Sequence, residues 1–475
     1  MSRFESDFLG QLEISDDCYY GVQTLRGKEN FHITEMSNNM EPFFLIAYAY
    51  VKKAAALTNK ELGTIPADVA DALVWACDEL IAGKYQDQFV TDWLQGGAGT
   101  STNMNVNEVI CNLACEKLGT VKGDSKRVSP NDHANFGQST NDTYPTALHL
   151  MFLLRSNVLL KAVEDLVNAF FKKSEEFKGV LKMGRTHLQD AVPMTLGQEF
   201  HGWGFTIQDE LKVIREAQEH LKTINLGATA IGTCVTAHPD YPAKASAKLA
   251  ELTGIDFKNS EDLIACTSDC GSYVALSSAM KSLAVKLTKV CNDIRLLASG
   301  PRCGLAELNL PQLQPGSSIM PGKVNPVIPE VTNQASFLAI GLDTTVMLAA
   351  SAGQLELNVM EPVITFALFM QMRVLTNACN ALRTKCIDGI TANAERTAQM
   401  VMNSCGIVTL LKPHLGYKVC SEMAHECYHT GKSLHQVVVE ERKLLTQEEW
   451  DATFNLQNLI APKFVQSSDL NYGNP

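Results

Sequence analysis

At 475 residues, with 45% apolar and 19% charged side chains, the chain has the makeup of a well-buried globular protein of two or three domains. Its formal net charge of −12 argues against a nucleic-acid or anionic-membrane partner, because such ligands need a basic surface. An anionic metabolite stays open, since a few local cations decide that and not the total.

The 14 cysteines run from Cys18 to Cys427 with no C-x-x-C pair. Cys111/Cys115 and Cys266/Cys270 have the spacing of helix neighbours. Without a histidine cluster beside them, buried free thiols in a reducing compartment are expected, and no metal site. The first residues form neither a basic region nor an apolar run, and no stretch of 18 consecutive apolar residues occurs. The expectation is a cytoplasmic protein with no membrane span.

Along the chain, residues 1–40 read as irregular structure, and strand-like alternation is scarce throughout. From about 42 to 82, apolar residues recur at helical spacing. Polar stretches rich in Gly, Asn and Ser follow at 95–107 and 129–143. Beyond Pro145 come five long helical patterns, roughly 147–177, 196–223, 272–298, 327–352 and 359–388. In the third, Ala275, Ala279, Leu283, Leu287, Val290 and Ile294 recur at three- and four-residue steps. Such lengths predict a bundle of helices about 35–45 Å long. Several are apolar on more than one face, which predicts an obligate homo-oligomer bundled across its interface. Residues 389–393 break the pattern, and the rest reads as a small helical tail. The predicted domains are 1–144, 145–395 and 396–475.

The chemistry concentrates in four segments, 96–105, 130–142, 184–190 and 316–326. Each is dense in Ser, Thr, Asn or His and poor in acids, as a dicarboxylate pocket requires. The last places Ser317, Lys323 and Asn325 on one loop bounded by glycine and proline. It is not a phosphate loop: five residues separate Gly316 from Gly322-Lys323, and Val324 follows the lysine. Gly431-Lys432-Ser433 fails too, because Glu426 stands where the first glycine belongs. Taken singly, a Gly-Ser loop is usually an ordinary turn. The three companion segments argue otherwise: a weak base (Ser317) beside anion-gripping Lys323 and Asn325 suits proton removal next to a carboxylate.

The run from Gly316 to Asn325 matches Gly-Ser-Ser-x-Met-Pro-x-Lys-x-Asn without a gap, and on it the chain resembles the aspartase/fumarase superfamily over essentially its whole length. The ammonia-lyase branch is favoured over the hydratase branch at Thr140, at 190–194, at 225–229 and at 354–362. The resemblance implies a mainly α, three-domain fold whose central long-helix bundle assembles into a twenty-helix tetramer core, with active sites shared by three subunits. It implies reversible anti-elimination of ammonia from L-aspartate to fumarate through an aci-carboxylate. The alternatives are hydration of fumarate to malate, or a related lyase acting on another N-substituted succinyl compound. A structural, crystallin-like role is a further alternative, though it would not need Ser317, Lys323, Asn325 and His187 together.

By the same resemblance Ser317 is the general base. Lys323 and Asn325, with Thr186 and His187, hold the α-carboxylate. Ser139, Thr140 and Ser318 surround the β-carboxylate, and Thr100, Asn141 and His187 lie near the departing ammonia. The family pairs His187 with an acid at Glu330. His133 and Asp132 are left between binding and loop-shaping roles, Arg185 orders its segment, and Cys234 stands where a glycine is expected. No cofactor enters the chemistry, although divalent cations activate some relatives. The implied partner is a small dicarboxylate.

Overall fold

A computed structural model of the chain describes residues 1–460. Residues 1–161, 210–285 and 335–377 form one compact unit; 162–209, 286–334 and the chain from Ala378 form the other. Each long helix therefore contributes a segment to both.

The first unit opens with a hairpin, β1 (Ser2–Asp7) against β2 (Gly10–Ser15), where irregular structure was expected. Its inward side chains explain why alternation of hydropathy missed it. Arg3, Glu5 and Asp7 are the half-buried positions of β1. They are held by ion pairs, Arg3 to Glu5 and Arg26 to Asp7, each at 2.8 Å. Helix α1 (Val22–Asn30) follows, also inside the segment read as irregular. Its N-cap Gly21 has no side chain to cap with. Instead the buried carboxylate of Glu108 accepts N–H bonds from Gly21, Gln23 and Thr24 at 2.8–3.0 Å.

Helices α2 (Pro42–Leu62) and α3 (Ala67–Ile81) occupy the expected 42–82 region and pack on each other. Helix α4 (Thr100–Lys117) begins inside the polar stretch 95–107, and residues 102–115 are buried, four asparagines included. Those amides find partners at long range, which no local pattern reveals. Phe44, Tyr48, Trp93, Tyr144, Phe366 and Phe369 form an aromatic cluster with ring centroids 5.0–6.3 Å apart.

Helix α5 (Thr140–Glu176) begins seven residues earlier than the apolar periodicity suggested, inside the polar stretch. In the second unit, β3 (Leu181–Thr186) and β4 (Gln189–Thr195) form a second hairpin, followed by α6 (Leu196–His220). The first unit resumes with the short β5 (Thr223–Ile224) and the single turn α7 (Thr229–Gly232). It continues through α8 (Tyr241–Thr253), β6 (Lys258–Asn259, parallel to β5) and α9 (Leu263–Ser268). Helix α10 (Gly271–Leu297), the short β7 (Leu308–Asn309), α11 (Val327–Ser351) and α12 (Glu361–Lys385) complete the long-helix set, within three residues of the predicted ends. Strand β8 (Thr391–Ala392) pairs with β7. The tail packs α13 (Ala394–Asn403) and α14 (Lys412–Thr430) around Met183, Val401, Ile407, Met423, Val437 and Trp450. All 14 cysteines are free, and most are buried.

Two helices, α5 and α11, are long and apolar enough by composition to cross a membrane. Helix α5 is a core helix, 72% buried over its apolar window, but α11 is only 28% buried. Its inner face is mixed, with Ala339 and Val346 fully buried beside polar side chains. Thr332, Ser336 and Asp343 are buried, while Phe337 (57%) and Leu348 (60%) face outward with Leu338 and Met347. Asp343 accepts from Ser277 (2.8 Å) and pairs with Lys281 (2.6 Å), so the inner face is anchored by polar contacts. The outer face is left apolar.

The Glu108 cap carries a testable consequence. Glu108→Ala strands three amides at the start of α1 and should destabilise the protein by about 3 kcal/mol, measured by urea denaturation; an unchanged midpoint would refute the cap.

Candidate active site

In the first unit, the N-termini of α4 and α5 meet. Three consecutive left-handed residues, Gly97, Ala98 and Gly99, turn the chain into α4. A Cβ at Gly99 would sit 2.4 Å from the Tyr144 ring, so only glycine lets α4 start this close to α5. The two ends are then tied by side chains. Asn103 Nδ2 donates to Thr140 Oγ1 at 3.3 Å, and Thr143 Oγ1 donates to Asn103 Oδ1 at 3.2 Å. Thr100, exposed, is the first residue of α4, with its hydroxyl donating to Gly97 O.

Ser139 caps α5. Its Oγ accepts from Asn141 N at 3.3 Å, and its own N–H donates to Asp142 at 2.6 Å. Asp142 also accepts from Gly227 N at 2.7 Å; burial pushes its carboxyl up to about 6. Pro145 lies one turn into α5 and has no N–H, so the Asn141 carbonyl loses its helical donor. Asn225 Nδ2 supplies the missing bond at 3.0 Å, while Asn141 Nδ2 donates to Ala230 O at 2.7 Å. The 225–236 segment is thereby stitched to the start of α5. It is strained, with Thr229, Ala230, Cys234 and Thr236 all at positive φ. The left-handed φ at Cys234 explains why glycine is expected there.

Beneath these ends, Lys52 is buried and donates to Asn135 (3.1 Å) and Gln138 (2.9 Å). Burial pushes its ammonium down to about 7. His133 Nδ1 accepts from Ser129 N at 2.9 Å, and Asp132 accepts from the Ser129 hydroxyl at 2.9 Å, so both shape their loop.

The second unit holds the remaining residues. His187 and Leu188 form the two-residue turn of the β3–β4 hairpin, flanked by the Thr186–Gln189 pair. Both are left-handed, at φ +56° and +60°, where Asn-Gly is the usual choice. Non-glycine residues there cost of order 1–3 kcal/mol each, and such strain concentrates at functional turns. The hairpin is anchored from below. Arg185 pairs with the buried Glu307 at 2.6 Å, and Lys182 bridges Glu307 (3.2 Å) and Glu199 (2.6 Å).

On the 316–326 loop, Ser317 Oγ accepts two backbone N–H bonds, from Met320 at 3.1 Å and Ile319 at 3.2 Å. Two amide dipoles aimed at one hydroxyl oxygen favour its ionised form. Gly316 donates to Lys323 O at 2.7 Å, and Asn325 Nδ2 donates to Gly316 O at 2.8 Å, closing the loop at its base. A Cβ at Gly316 would lie 2.7 Å from Lys323 O, which requires glycine. Ser318 and Lys323 are exposed, and the Lys323 ammonium has no acidic partner among the described residues. Glu330, half-buried in the first turn of α11, makes no hydrogen bond or ion pair with His187 among the described residues. No group of three or more His, Cys, Asp or Glu could hold a metal among those residues.

Thr100, Ser139, Thr140 and Asn141 thus belong to one unit, and Thr186, His187, Ser317, Ser318, Lys323, Asn325 and Glu330 to the other. Sequence reasoning missed Lys52, Asn225 and Glu307. Lys52 had a visible signal, a lysine inside an Ala-rich apolar run. Asn225 and Glu307 act only through contacts distant in sequence.

Residues 10–341 match the family described as Lyase, and residues 407–461 that described as Fumarase C C-terminus. The aspartate ammonia-lyase of Escherichia coli strain K12 is 53% identical over 463 residues, covering 97% of each chain. A crystal structure of a fumarate lyase:delta crystallin from Brucella melitensis bound to cobalt superposes with a TM-score of 0.93 at 45% identity, covering 95% of this chain and 98% of that one. The class II fumarase structure from Schistosoma mansoni gives 0.89 at 35% identity, covering 96% and 98%. By class, then, the chain is a lyase. It belongs to the aspartase/fumarase superfamily.

If the His187-Leu188 turn stores strain, Leu188→Gly should raise stability by about 1 kcal/mol. Thermal denaturation of the two proteins side by side would read it, and a lower Tm for the glycine variant would refute the strain.

Proposed function

We propose that this chain eliminates ammonia from L-aspartate, reversibly and with anti geometry, to give fumarate. The support is twofold. Similarity to a curated aspartate ammonia-lyase, at 53%, exceeds that to a fumarase, at 35%. The single observation that carries the chemistry is Ser317 Oγ lodged under two backbone amides.

Removing a proton from Cβ next to a carboxylate produces a dianionic aci-carboxylate, and holding that charge is the larger task. In this reading Ser317, as an alkoxide, takes the Cβ proton. Ser139, Thr140 and Ser318 meet the β-carboxylate where charge builds, aided by the positive N-terminus of α5. Lys323, Asn325, Thr186 and His187 hold the α-carboxylate, with Lys323 as the uncommitted cation. Thr100, Asn141 and His187 face the leaving ammonia. The Asn325 amide has to exchange its bond to Gly316 for the substrate as the loop closes. The chemistry asks for no cofactor.

The working form in this reading is a cytoplasmic homotetramer whose active sites each draw on three subunits. Support comes from α11, which hides polar residues and offers Phe337, Leu338, Met347 and Leu348 to a partner. Pairing of His187 with Glu330, not made within one chain, is then assigned to neighbouring subunits. The division at 1–144, 145–395 and 396–475 belongs to the same proposal.

Absorbance of fumarate during incubation with L-aspartate or L-malate separately tests the reaction. Release from aspartate is expected, and release from malate alone would instead mark a hydratase. Ser317→Ala should lower kcat roughly a thousandfold with KM little changed; near-normal turnover would remove Ser317 from its role. Phe337→Glu combined with Leu348→Glu should dissociate the assembly and abolish activity in light scattering and assay together. An active monomer would overturn the shared-site reading.

A further inference from the structure

A cavity of about 570 Å3 lies within the first unit, between the starts of α5, α10 and α12 and the segments 219–225 and 260–269. None of Thr100, Ser139, Thr140 or Asn141 lines it. Its wall carries three acids, Glu219, Asp269 and Glu361, and no lysine or arginine. Glu219 pairs with Lys222 at 2.6 Å, and Asp269 accepts from Gly271 N at 3.1 Å. Of the two histidines in the wall, His149 is held neutral by burial, which pushes it down to about 4, and its Nε2 meets Ser272 Oγ at 3.2 Å. His220 lies on the α6 side.

Glu361 stands apart. It is 6% exposed, and its Oε1 accepts from the Tyr273 hydroxyl at 3.4 Å. Its Oε2 has no hydrogen-bond partner among the described residues. Burial pushes the carboxyl up to about 8, with only the Tyr273 bond opposing. A buried acid with a free oxygen in a cavity without lysine or arginine is stabilised by an incoming cationic donor. Its place as the first residue of α12 also favours the anion once a partner arrives.

We propose that this cavity binds a small organic cation through a primary ammonium group, with Glu361 as its anionic partner. Pro145, Ile224 and Ala275 offer apolar wall to a short alkyl chain, and an ammonium N–H satisfies the free Glu361 oxygen. With burial pushing its carboxyl up to about 8, Glu361 is mostly protonated in the empty site at pH 7. Entry of the cation therefore expels the carboxyl proton to solvent, while the ammonium keeps its own three.

The probe is n-butylammonium chloride, titrated calorimetrically into the full-length protein at pH 7 in two buffers of different ionisation enthalpy. Saturable binding with close to one proton released per chain is expected. Glu361→Gln should weaken binding at least tenfold and eliminate the proton release. Ala265→Phe, at an exposed position on the cavity wall, should weaken binding without touching the acid, which covers the case in which the Gln variant misfolds. No saturable binding, binding without proton release, or equal affinity in both variants would each overturn the site.

Discussion

The structure is organised around a need for hydrogen-bond donors that are already fixed before a carboxylate gains charge. Donors that must reorient lose in reorganisation what they gain in contact. Here the start of α5 is fixed by four independent ties. Asp142 accepts from the Ser139 N–H, Asn103 reaches Thr140 from α4, Gly227 locks onto Asp142, and Asn225 takes the carbonyl freed by Pro145. The proline acts as a connector: by removing one helical bond it creates an acceptor that only the 225–236 segment fills.

Rigidity on one side is matched by strain on the other. His187 and Leu188 occupy a turn that suits Asn-Gly, and the penalty persists because the hairpin below it is over-determined. Five cross-strand pairs, split by a bulge between Met183 and Arg185, and an Arg185–Glu307–Lys182–Glu199 network hold the ends together. The 316–326 loop follows the same logic at smaller scale. Asn325 and Gly316 clamp its base, which leaves Ser317 under its two amides and Lys323 free in solvent. The lysine is the one charged residue of that loop and has no acidic partner among the described residues, as expected of a residue waiting for an anion.

The long helices supply the frame for both. Helix α11 departs from the usual pattern by burying Thr332, Ser336 and Asp343 alongside Ala339 and Val346 while exposing Phe337 and Leu348. That pattern makes sense if the helix has two interiors, one of mixed polarity within the chain, the other apolar and supplied by a partner. It also explains why composition alone ranks α11 with membrane helices.

Much of this was legible in the residue order. The five long helices followed from three- and four-residue apolar spacing, because each has at least one face buried along its whole length. The loop chemistry was legible because Ser317, Lys323 and Asn325 are neighbours in sequence. What the order could not give depends on contacts between distant residues. The β1–β2 hairpin escaped because the inner face of β1 is Arg3, Glu5 and Asp7, stabilised by Arg26, and only Leu12 and Ile14 of β2 add apolar side chains to it. The helical state of residues 100–107 escaped because buried asparagines look like loop residues until their partners are known. The left-handed turn at His187-Leu188 and the bond from Asn225 to Asn141 were decided by tertiary structure alone, since strain and orphaned carbonyls are settled by whatever packs against them.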